Sequence, residues 1–125
     1  MSGETSTILL VDDRPANLLA LEQMLERKDR VFLKASSGDE ALKHALNKHI
    51  DLIILDVQMP MMDGIALALA AKRDHPKLTI MLMTGYTDQR ERAQSLKALI
   101  HDIVQKPFTV AEIRTAVQSA LAVRV

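Results

Sequence analysis

The sequence predicts an α/β fold, in which helices cover both faces of a parallel sheet. Three observations predict it. Five apolar runs alternate with segments of helical pattern, as expected for parallel strands joined by right-handed crossovers. Three of these runs are almost purely hydrocarbon, which is typical of strands buried on both faces. Two of the three, Ile8–Val11 and Leu52–Leu55, end directly on aspartates, and such sheets bind ligands at the carboxyl ends of their strands.

The elements of the first half follow from apolar spacing and from helix-start signals. Pro15 suits a first helical position, and leucines recur after it at spacings of three and four residues. Val31–Ala35 mixes a charge into its apolar residues, as a strand with one open edge does. Ser37–Glu40 has the form of a capping box that opens the second helix. The two helices are predicted to end near Arg27 and Lys48.

The second half continues the alternation. Gly64 begins a helix rich in alanine and leucine, which is predicted to end before Pro76. Leu78–Met83 is the third of the strongly apolar strands. The remaining elements, in chain order, are a charged fourth helix over Gln89–Lys97, a short strand with polar interruptions over Ile100–Val104, and a last helix capped by Thr109 and Glu112.

The apolar quality of each strand also predicts its place in the sheet. The first, third and fourth strands are nearly pure hydrocarbon and are expected at the centre, whereas the second and fifth carry polar residues and are expected at the edges. A 2-1-3-4-5 order satisfies this, and it is the flavodoxin-like doubly wound arrangement, a three-layer (βα)5 sandwich. With 125 residues, the chain is predicted to form a single domain over 1–125, preceded by a short tail at 1–7.

Composition excludes several classes of function. Sixteen basic and sixteen acidic residues cancel, so no overall field attracts nucleic acid or anionic lipid. The absence of cysteine excludes disulfides, thiolate metal sites and a thiol nucleophile. No segment reaches the roughly 18 apolar residues of a membrane span, and residues 1–7 lack the features of a signal peptide. We therefore expect a cytoplasmic domain that binds neither nucleic acid nor membrane.

Acidic residues are predicted to meet at the switch point between the first and third strands. Asp12 and Asp13 follow the first strand, and Asp56 ends the third. Three neighbouring carboxylates repel one another, so at least one pKa is raised unless a cation intervenes. Oxygen ligands without cysteine or histidine favour Mg²⁺ as that cation.

The other polar strand ends suit phosphoryl transfer. Lys106 places a second positive charge opposite Asp56, and two cations beside a rigidly held carboxylate prepare it to attack phosphorus. Thr84 and the N–H of Gly85 follow the fourth strand at the same edge of the sheet, where they are expected to contact phosphoryl oxygens.

Four motifs stand in order along the chain. They are the acidic pair within LLVDDRPANLL, the segment DVQMPMMDG, the pair Thr84-Gly85 and the triplet Lys106-Pro107-Phe108. Together they resemble the receiver domain of bacterial two-component response regulators. The resemblance extends over essentially the whole chain, from Ile8 to the last helix. Each motif alone is weakly specific, but all four stand at the expected element ends.

The resemblance implies a role for each acid. Asp56 is implied as the phosphoacceptor, which takes a phosphoryl group from a sensor histidine kinase or a phosphotransfer protein. Asp12 and Asp13 are implied to hold Mg²⁺ together with Asp56 and the backbone carbonyl of Gln58. Gln58 is also expected to contact the phosphoryl group. Such a domain is not an enzyme in the usual sense, since it catalyses only its own phosphorylation and dephosphorylation.

The resemblance also implies a switch and an output. Lys106 would bind the phosphoryl group, with a cis bond to Pro107, and the hydroxyl of Thr84 would move toward the phosphate. This movement would alter the output face, which we define as the surface of the fourth helix, the fifth strand and the last helix. A homodimer through the output face is a further expectation.

Two positions depart from the family pattern. Ile103 occupies the place, three residues before the lysine, where the family usually has an aromatic ring that reports the switch, and it is expected to modulate the switch. Tyr86 is predicted instead to modulate access by shielding the phosphorylated Asp56 from water. The segment Ala98–Ile100 replaces a common Gly-Ala turn, so an irregular end is expected for the fourth helix.

Three alternatives compete with a phosphorylated receiver. A haloacid-dehalogenase-type phosphatase needs a second acid two residues after the nucleophile, where this chain has Gln58. A flavin or nucleotide carrier needs an N–H-rich loop after the first strand, where Asp12 and Asp13 would repel a phosphate. A degenerate receiver that acts only as a protein-docking module is kept open by Ile103.

Overall fold

The structure is a computed structural model that describes residues 5–59, 62–85 and 100–122. The predicted fourth helix, Gln89–Lys97, lies outside the described residues, as does Tyr86. The described elements are β1 (Ser6–Val11), α1 (Pro15–Leu25), β2 (Arg30–Ala35), α2 (Gly38–Asn47), β3 (Leu52–Asp56), β4 (Gln58–Met59), β5 (Met62–Asp63), α3 (Gly64–Asp74), β6 (Thr79–Thr84), β7 (Asp102–Gln105) and α4 (Val110–Ala122).

The central sheet has the predicted order. Its five strands are arranged β2-β1-β3-β6-β7, and every neighbouring pair is parallel. The flavodoxin-like order 2-1-3-4-5 is therefore confirmed, with the two more polar strands, β2 and β7, at the edges. The carboxyl ends of all five strands face the same side of the molecule, because the strands are parallel.

Alternate residues of the central strands enter two separate cores. Leu9, Ile53 and Ile80 belong to the core that lies under α2 and α3. Their neighbours in sequence, such as Leu10 and Ile54, belong to the core that lies under α1 and α4. Successive side chains of a strand point to opposite faces of the sheet. Because helices cover both faces, the apolar residues of these strands are all buried, as their continuous apolar runs predicted.

The segment between β3 and α3 contains two short strands that the sequence did not predict. β4 and β5 are short antiparallel strands in which Gln58 pairs with Asp63 and Met59 with Met62. The chain thus reverses direction between β4 and β5, and α3 starts at Gly64. This local pairing holds the segment next to the end of β3.

The amino-terminal boundary also differs from the prediction. β1 begins at Ser6, because the Ser6 N–H donates to the carbonyl of Asp29 at 2.8 Å and pairing with β2 starts there. The Thr7 N–H donates to the carboxylate of Asp51 at 2.7 Å. Ser6 and Thr7 therefore belong to the sheet and not to the predicted tail at 1–7.

Candidate functional site

Strand register places the two predicted acidic ends side by side. β1 and β3 are neighbours, and their register pairs Val11 with Leu55. Asp12 directly follows β1 and Asp56 is the last residue of β3, so the two acids lie side by side at the carboxyl ends of neighbouring strands. The Asp12 N–H donates to the carbonyl of Ala35 at 3.1 Å, which holds its backbone beside β2 as well.

Register also brings the fourth and fifth predicted strand ends to this edge. β3 pairs with β6 so that Asp56 lies opposite Met83, and Thr84 follows. β6 pairs with β7 so that Thr84 lies opposite Gln105, and the Lys106 N–H donates to the Thr84 carbonyl at 2.7 Å. Thr84 and Lys106 are thereby fixed by backbone pairing next to the acids.

The three acids form one compact cluster. Asp12, Asp13 and Asp56 each offer a carboxylate oxygen, and these oxygens all lie within 4.8 Å of one another. Asp12 is 1% exposed and Asp56 is 5% exposed, whereas Asp13 is half-buried. Two of the three carboxylates are therefore largely removed from water, where like charges repel more strongly than at an exposed site.

Lys106 supplies a positive charge to this cluster. Its ammonium nitrogen, Nζ, lies 3.1 Å from Oδ2 of Asp56 and 4.0 Å from Oδ2 of Asp12. The bond to Pro107 is cis, as the family resemblance implied. The lysine side chain is 32% exposed, so it reaches the buried carboxylates from the protein surface.

Burial raises the pKa of Asp12 above its ordinary value, and the negative charge of Asp56 raises it further. Three groups oppose this rise by favouring the carboxylate. They are the Arg14 N–H, the charge of Lys106 and the side-chain amide of Asn17. The expected perturbation within the acidic cluster is thus found at Asp12, but its leading cause is desolvation, ahead of the repulsion that the sequence predicted.

Sequence reasoning missed two groups that hold Asp12. The Arg14 N–H donates to Oδ1 of Asp12 at 3.0 Å. The amide nitrogen of Asn17, Nδ2, donates to the same carboxylate, at 3.4 Å from Oδ1 and 3.2 Å from Oδ2. The available signal was an amide side chain in the first turn of a helix that directly follows an acidic pair.

Thr84 and Gly85 lie where the strand ends predicted them. Thr84 is completely buried, and its hydroxyl oxygen, Oγ1, has no hydrogen-bond partner among the described residues. A buried hydroxyl without a hydrogen-bond partner costs free energy. A group that accepts a hydrogen bond from it would therefore be bound favourably. Gly85 is exposed, and a β-carbon built on it would meet nothing within 4 Å.

The remaining predicted residues are only partly tested by the geometry. Ile103 is half-buried, pairs with Leu82 across the sheet and packs against the core under α2 and α3. Gln58 lies in β4, two residues after Asp56, and the role of its carbonyl stays a prediction. The role of Tyr86 also stays a prediction, because this residue lies outside the described part of the chain.

A groove of about 570 Å³ opens beside the acids. Its lining includes Asp12, Arg14, Asn17 and Lys106, together with apolar side chains from α1 and from the segment before α4. Two other depressions of similar volume lie around α2 and contain none of the predicted site residues. Volume alone therefore does not mark the site, whereas the clustered charges do.

This fold and this arrangement of charges define a receiver domain of the response-regulator class. The family model for the response regulator receiver domain matches residues 8–118, and the chain belongs to that family. Within the described residues, none of the helices is both long and apolar enough to cross a membrane.

Individual relatives agree with the family assignment. The chain is 32% identical over 114 residues to the alkaline phosphatase synthesis transcriptional regulatory protein PhoP of Bacillus subtilis. That alignment covers 91% of this chain and 48% of PhoP, so the chain spans about half the length of the curated relatives it matches.

Solved structures agree with the fold as well. The signal receiver domain of an HD domain-containing protein from Pseudomonas fluorescens has a TM-score of 0.87 and 28% identity, with 95% of this chain and 96% of that chain covered. The response regulator TrrA of Thermotoga maritima, solved in complex with Mg²⁺-BeF, has a TM-score of 0.83 and 29% identity, with 94% and 100% covered.

Proposed function

We propose that this receiver domain accepts a phosphoryl group on Asp56 and passes the signal on through a change of its surface. The observation that carries the proposal is the position of the Asp56 carboxylate, 3.1 Å from the Lys106 ammonium and within 4.8 Å of the other two acids. The domain acts in signalling, and the only chemistry proposed for it is its own phosphorylation and dephosphorylation.

The donor set fits a divalent cation that prefers oxygen. Asp12, Asp13 and Asp56 offer three carboxylates at one point, and Mg²⁺ is commonly held by one or a few carboxylates together with water and phosphate oxygens. When bound, Mg²⁺ supplies positive charge that offsets the negative charge of the phosphoryl oxygens. The similar TrrA domain was solved with Mg²⁺-BeF, which supports the same choice of cation here. The carbonyl of Gln58 is proposed as a further ligand.

The protein residues divide the remaining work. A carboxylate oxygen of Asp56 attacks phosphorus, and the bond from phosphorus to a histidine nitrogen of the donor breaks. The histidine leaves with the electron pair and takes a proton to remain neutral. Lys106 neutralises charge on the transferred group. The hydroxyl of Thr84, which has no partner within the described part of the chain, and the N–H of Gly85 are proposed to donate to its oxygens.

The proposed donor is a sensor histidine kinase or a phosphotransfer protein. The groove beside Asp12 and Lys106 leaves room for such a donor to approach the acids. The proposed output face includes residues 89–97, which lie outside the described part of the chain. Homodimer formation through that face, a cytoplasmic location and the roles of Tyr86 and Ile103 stay predictions.

Three observations disfavour the alternative classes. The chain belongs to the receiver family, and Gln58 replaces the second acid that a haloacid-dehalogenase-type phosphatase needs. A docking module that is never phosphorylated has no need of three acids that repel one another beside a single lysine. The contact from Lys106 to Asp56 therefore favours the phosphorylated receiver.

The proposal is tested by phosphorylation with acetyl phosphate and Mg²⁺. The parent protein is expected to gain the mass of one phosphoryl group, and Asp56→Asn to gain none, because the nucleophilic oxygen is replaced by an amide. Intact-protein mass spectrometry measures both. Excess chelator is expected to abolish labelling of the parent.

Asp74→Asn is a matched control for this experiment. Asp74 is exposed at the end of α3, and its carboxylate pairs with the neighbouring Arg73 at 3.4 Å. The same Asp-to-Asn change there is expected to leave labelling unchanged. Phosphorylation that persists in Asp56→Asn at the parent's level would contradict the proposed function.

A further inference from the structure

From the contacts of Asp12 we infer that Asn17 is a positioning residue, whose amide holds the Asp12 carboxylate in the orientation that binds a divalent cation. The inference rests on the proposed function, since it concerns the same metal site. Asn17 acts on the metal site only through Asp12, to which its amide donates.

The backbone that carries Asn17 is held in place by the start of α1. Arg14 is extended, with φ −108° and ψ 114°, and Pro15 occupies the first helical position, where its ring restricts φ. The Asn17 N–H donates to the Arg14 carbonyl at 3.0 Å. The amide side chain of Asn17 therefore projects from a fixed point in the first helical turn.

The Asn17 side chain is not used to cap the helix. The cap position of α1 is Arg14, which makes no side-chain capping bond. The Asn17 amide instead reaches back five residues to Asp12, with Nδ2 3.4 Å from Oδ1 and 3.2 Å from Oδ2. Because both distances come from one nitrogen, a single N–H is shared between the two oxygens as a bifurcated hydrogen bond.

The other positive or hydrogen-bonding groups near Asp12 do not fix both of its carboxylate oxygens. The Arg14 N–H holds Oδ1 at 3.0 Å, while the Lys106 ammonium lies closer to Asp56, at 3.1 Å, than to Asp12, at 4.0 Å. Among the side chains that the structure describes, Asn17 alone donates a hydrogen bond to Asp12. Without it, the Asp12 carboxylate would keep one backbone hydrogen bond and gain freedom to rotate.

Orientation of Asp12 matters because three carboxylates share one small space. Their ligand oxygens lie within 4.8 Å, so a rotated carboxylate would turn a ligand oxygen away from the others. Groups that hydrogen-bond to a metal ligand orient it, and their loss typically weakens metal binding by roughly 10-fold to 100-fold. We expect a weakening in that range when the Asn17 amide is removed.

The test measures Mg²⁺ binding and metal-free stability in the same set of variants. Asn17→Leu keeps the approximate size of the side chain and removes the donor, whereas Asn17→Gln keeps an amide on a longer stem. Magnesium chloride is titrated into the whole 125-residue protein. The NMR chemical shifts of the backbone amides of residues 12, 13 and 56 are followed during the titration. Metal-free melting temperatures are measured separately.

Asn47→Leu is the matched control. Asn47 is exposed on α2, and its amide donates to the carbonyl of Lys43 at 2.9 Å, away from the acids. The inference expects weaker Mg²⁺ binding in Asn17→Leu, a smaller loss in Asn17→Gln and the parent's affinity in Asn47→Leu. The metal-free melting temperature of Asn17→Leu is expected to stay close to that of the parent.

Each other outcome overturns the inference in a distinct way. Equal Mg²⁺ affinity in the parent and Asn17→Leu overturns the positioning role while the proposed function stands. Equal losses in Asn17→Leu and Asn17→Gln, together with a clearly lower metal-free melting temperature, assign Asn17 a purely structural role. A parent protein that shows no Mg²⁺-dependent shifts at residues 12, 13 and 56 contradicts the proposed function itself.

Discussion

At the scale of single residues, Gly64 shows how closely the backbone is packed behind the acids. Its N–H donates to the Val57 carbonyl at 3.1 Å. A β-carbon added to Gly64 would lie 2.5 Å from the carbonyl oxygen of Asp56 and 2.6 Å from the Cα of Val57. Both neighbours are backbone atoms, so no side-chain rotation relieves the clash. The end of β3 therefore requires a residue without a side chain at this position.

Gly64→Ala is expected to destabilise the protein by about 1–3 kcal/mol, the usual cost of forcing extra atoms into a packed region. It is also expected to slow phosphorylation, because the backbone of Asp56 must shift. Urea unfolding measures the first effect, and labelling by acetyl phosphate measures the second.

Gly85→Ala is the matched control for stability. A β-carbon there meets nothing within 4 Å, so the free energy of unfolding is expected to change by less than about 1 kcal/mol. Equal losses of stability in the two alanine variants would show that close packing at Gly64 is not the cause.

At the scale of elements, two helices begin with reciprocal caps that the sequence predicted. In α4, the Glu112 N–H donates to the Thr109 hydroxyl at 3.0 Å, and the Thr109 N–H donates to the Glu112 carboxylate at 2.8 Å. In α2, the Glu40 N–H donates to the Ser37 hydroxyl at 3.2 Å. The returning bond to the Glu40 carboxylate comes from the N–H of Ser36, one residue earlier than in a regular capping box.

Thr109→Ala is expected to lower the free energy of unfolding by about 1 kcal/mol, because it removes a cap from α4. Thermal or urea unfolding measures the change. Thr115→Ala is the control on the same helix. Thr115 is exposed in the helix interior, where alanine has the higher helix propensity, so this variant is expected to be at least as stable as the parent. Similar losses in both variants would argue against a capping role for Thr109.

At the scale of the whole molecule, the acidic cluster links stability to pH and to metal. The folded protein raises the pKa of Asp12 above its ordinary value of 3.8, mainly through burial. At a pH between the pKa of Asp12 in the unfolded state and its higher pKa in the folded state, the folded state binds more protons than the unfolded state. The contribution of Asp12 to the stability of the metal-free protein therefore falls as pH rises from about 3.8 through the raised pKa of the folded state.

Asp12→Asn is expected to make the metal-free protein more stable at neutral pH, because it removes a buried charge beside Asp56. The advantage is expected to shrink as pH falls toward 3.8, where Asp12 of the unfolded parent is also protonated. Urea unfolding in chelator at several pH values measures this. A less stable Asp12→Asn at neutral pH would contradict the expected sign.

With Mg²⁺ present, the parent is expected to be more stable than Asp12→Asn, the reverse of the order without metal. A ligand that binds only the folded state adds about 2.7 kcal/mol of stability at 100 times its dissociation constant. The parent is expected to gain most of this with Mg²⁺, and Asp12→Asn much less, since it lacks one ligand carboxylate. Repeating the unfolding experiment with Mg²⁺ checks the reversal.

Most of the fold and the main polar groups of the site could be predicted because they depend on local pattern. Unbroken apolar runs identified buried strands, and the strand order followed from which runs contained polar residues. Parallel strands end at one edge of a sheet, so the acids, Thr84 and Lys106 were expected together once their strand ends were known. The cap of α4 was also local, since Thr109 and Glu112 are three residues apart.

Only the tertiary structure decided which groups contact one another across elements. The amide of Asn17 bonds to Asp12 because α1 starts at a particular angle to β1, and sequence spacing does not specify that angle. Gly64 approaches the carbonyl of Asp56 because β4 and β5 turn the chain back, and desolvation of Asp12 depends on everything packed around it. Local residue pattern determines the elements and their ends, whereas distances, burial and pKa values arise from how those elements pack.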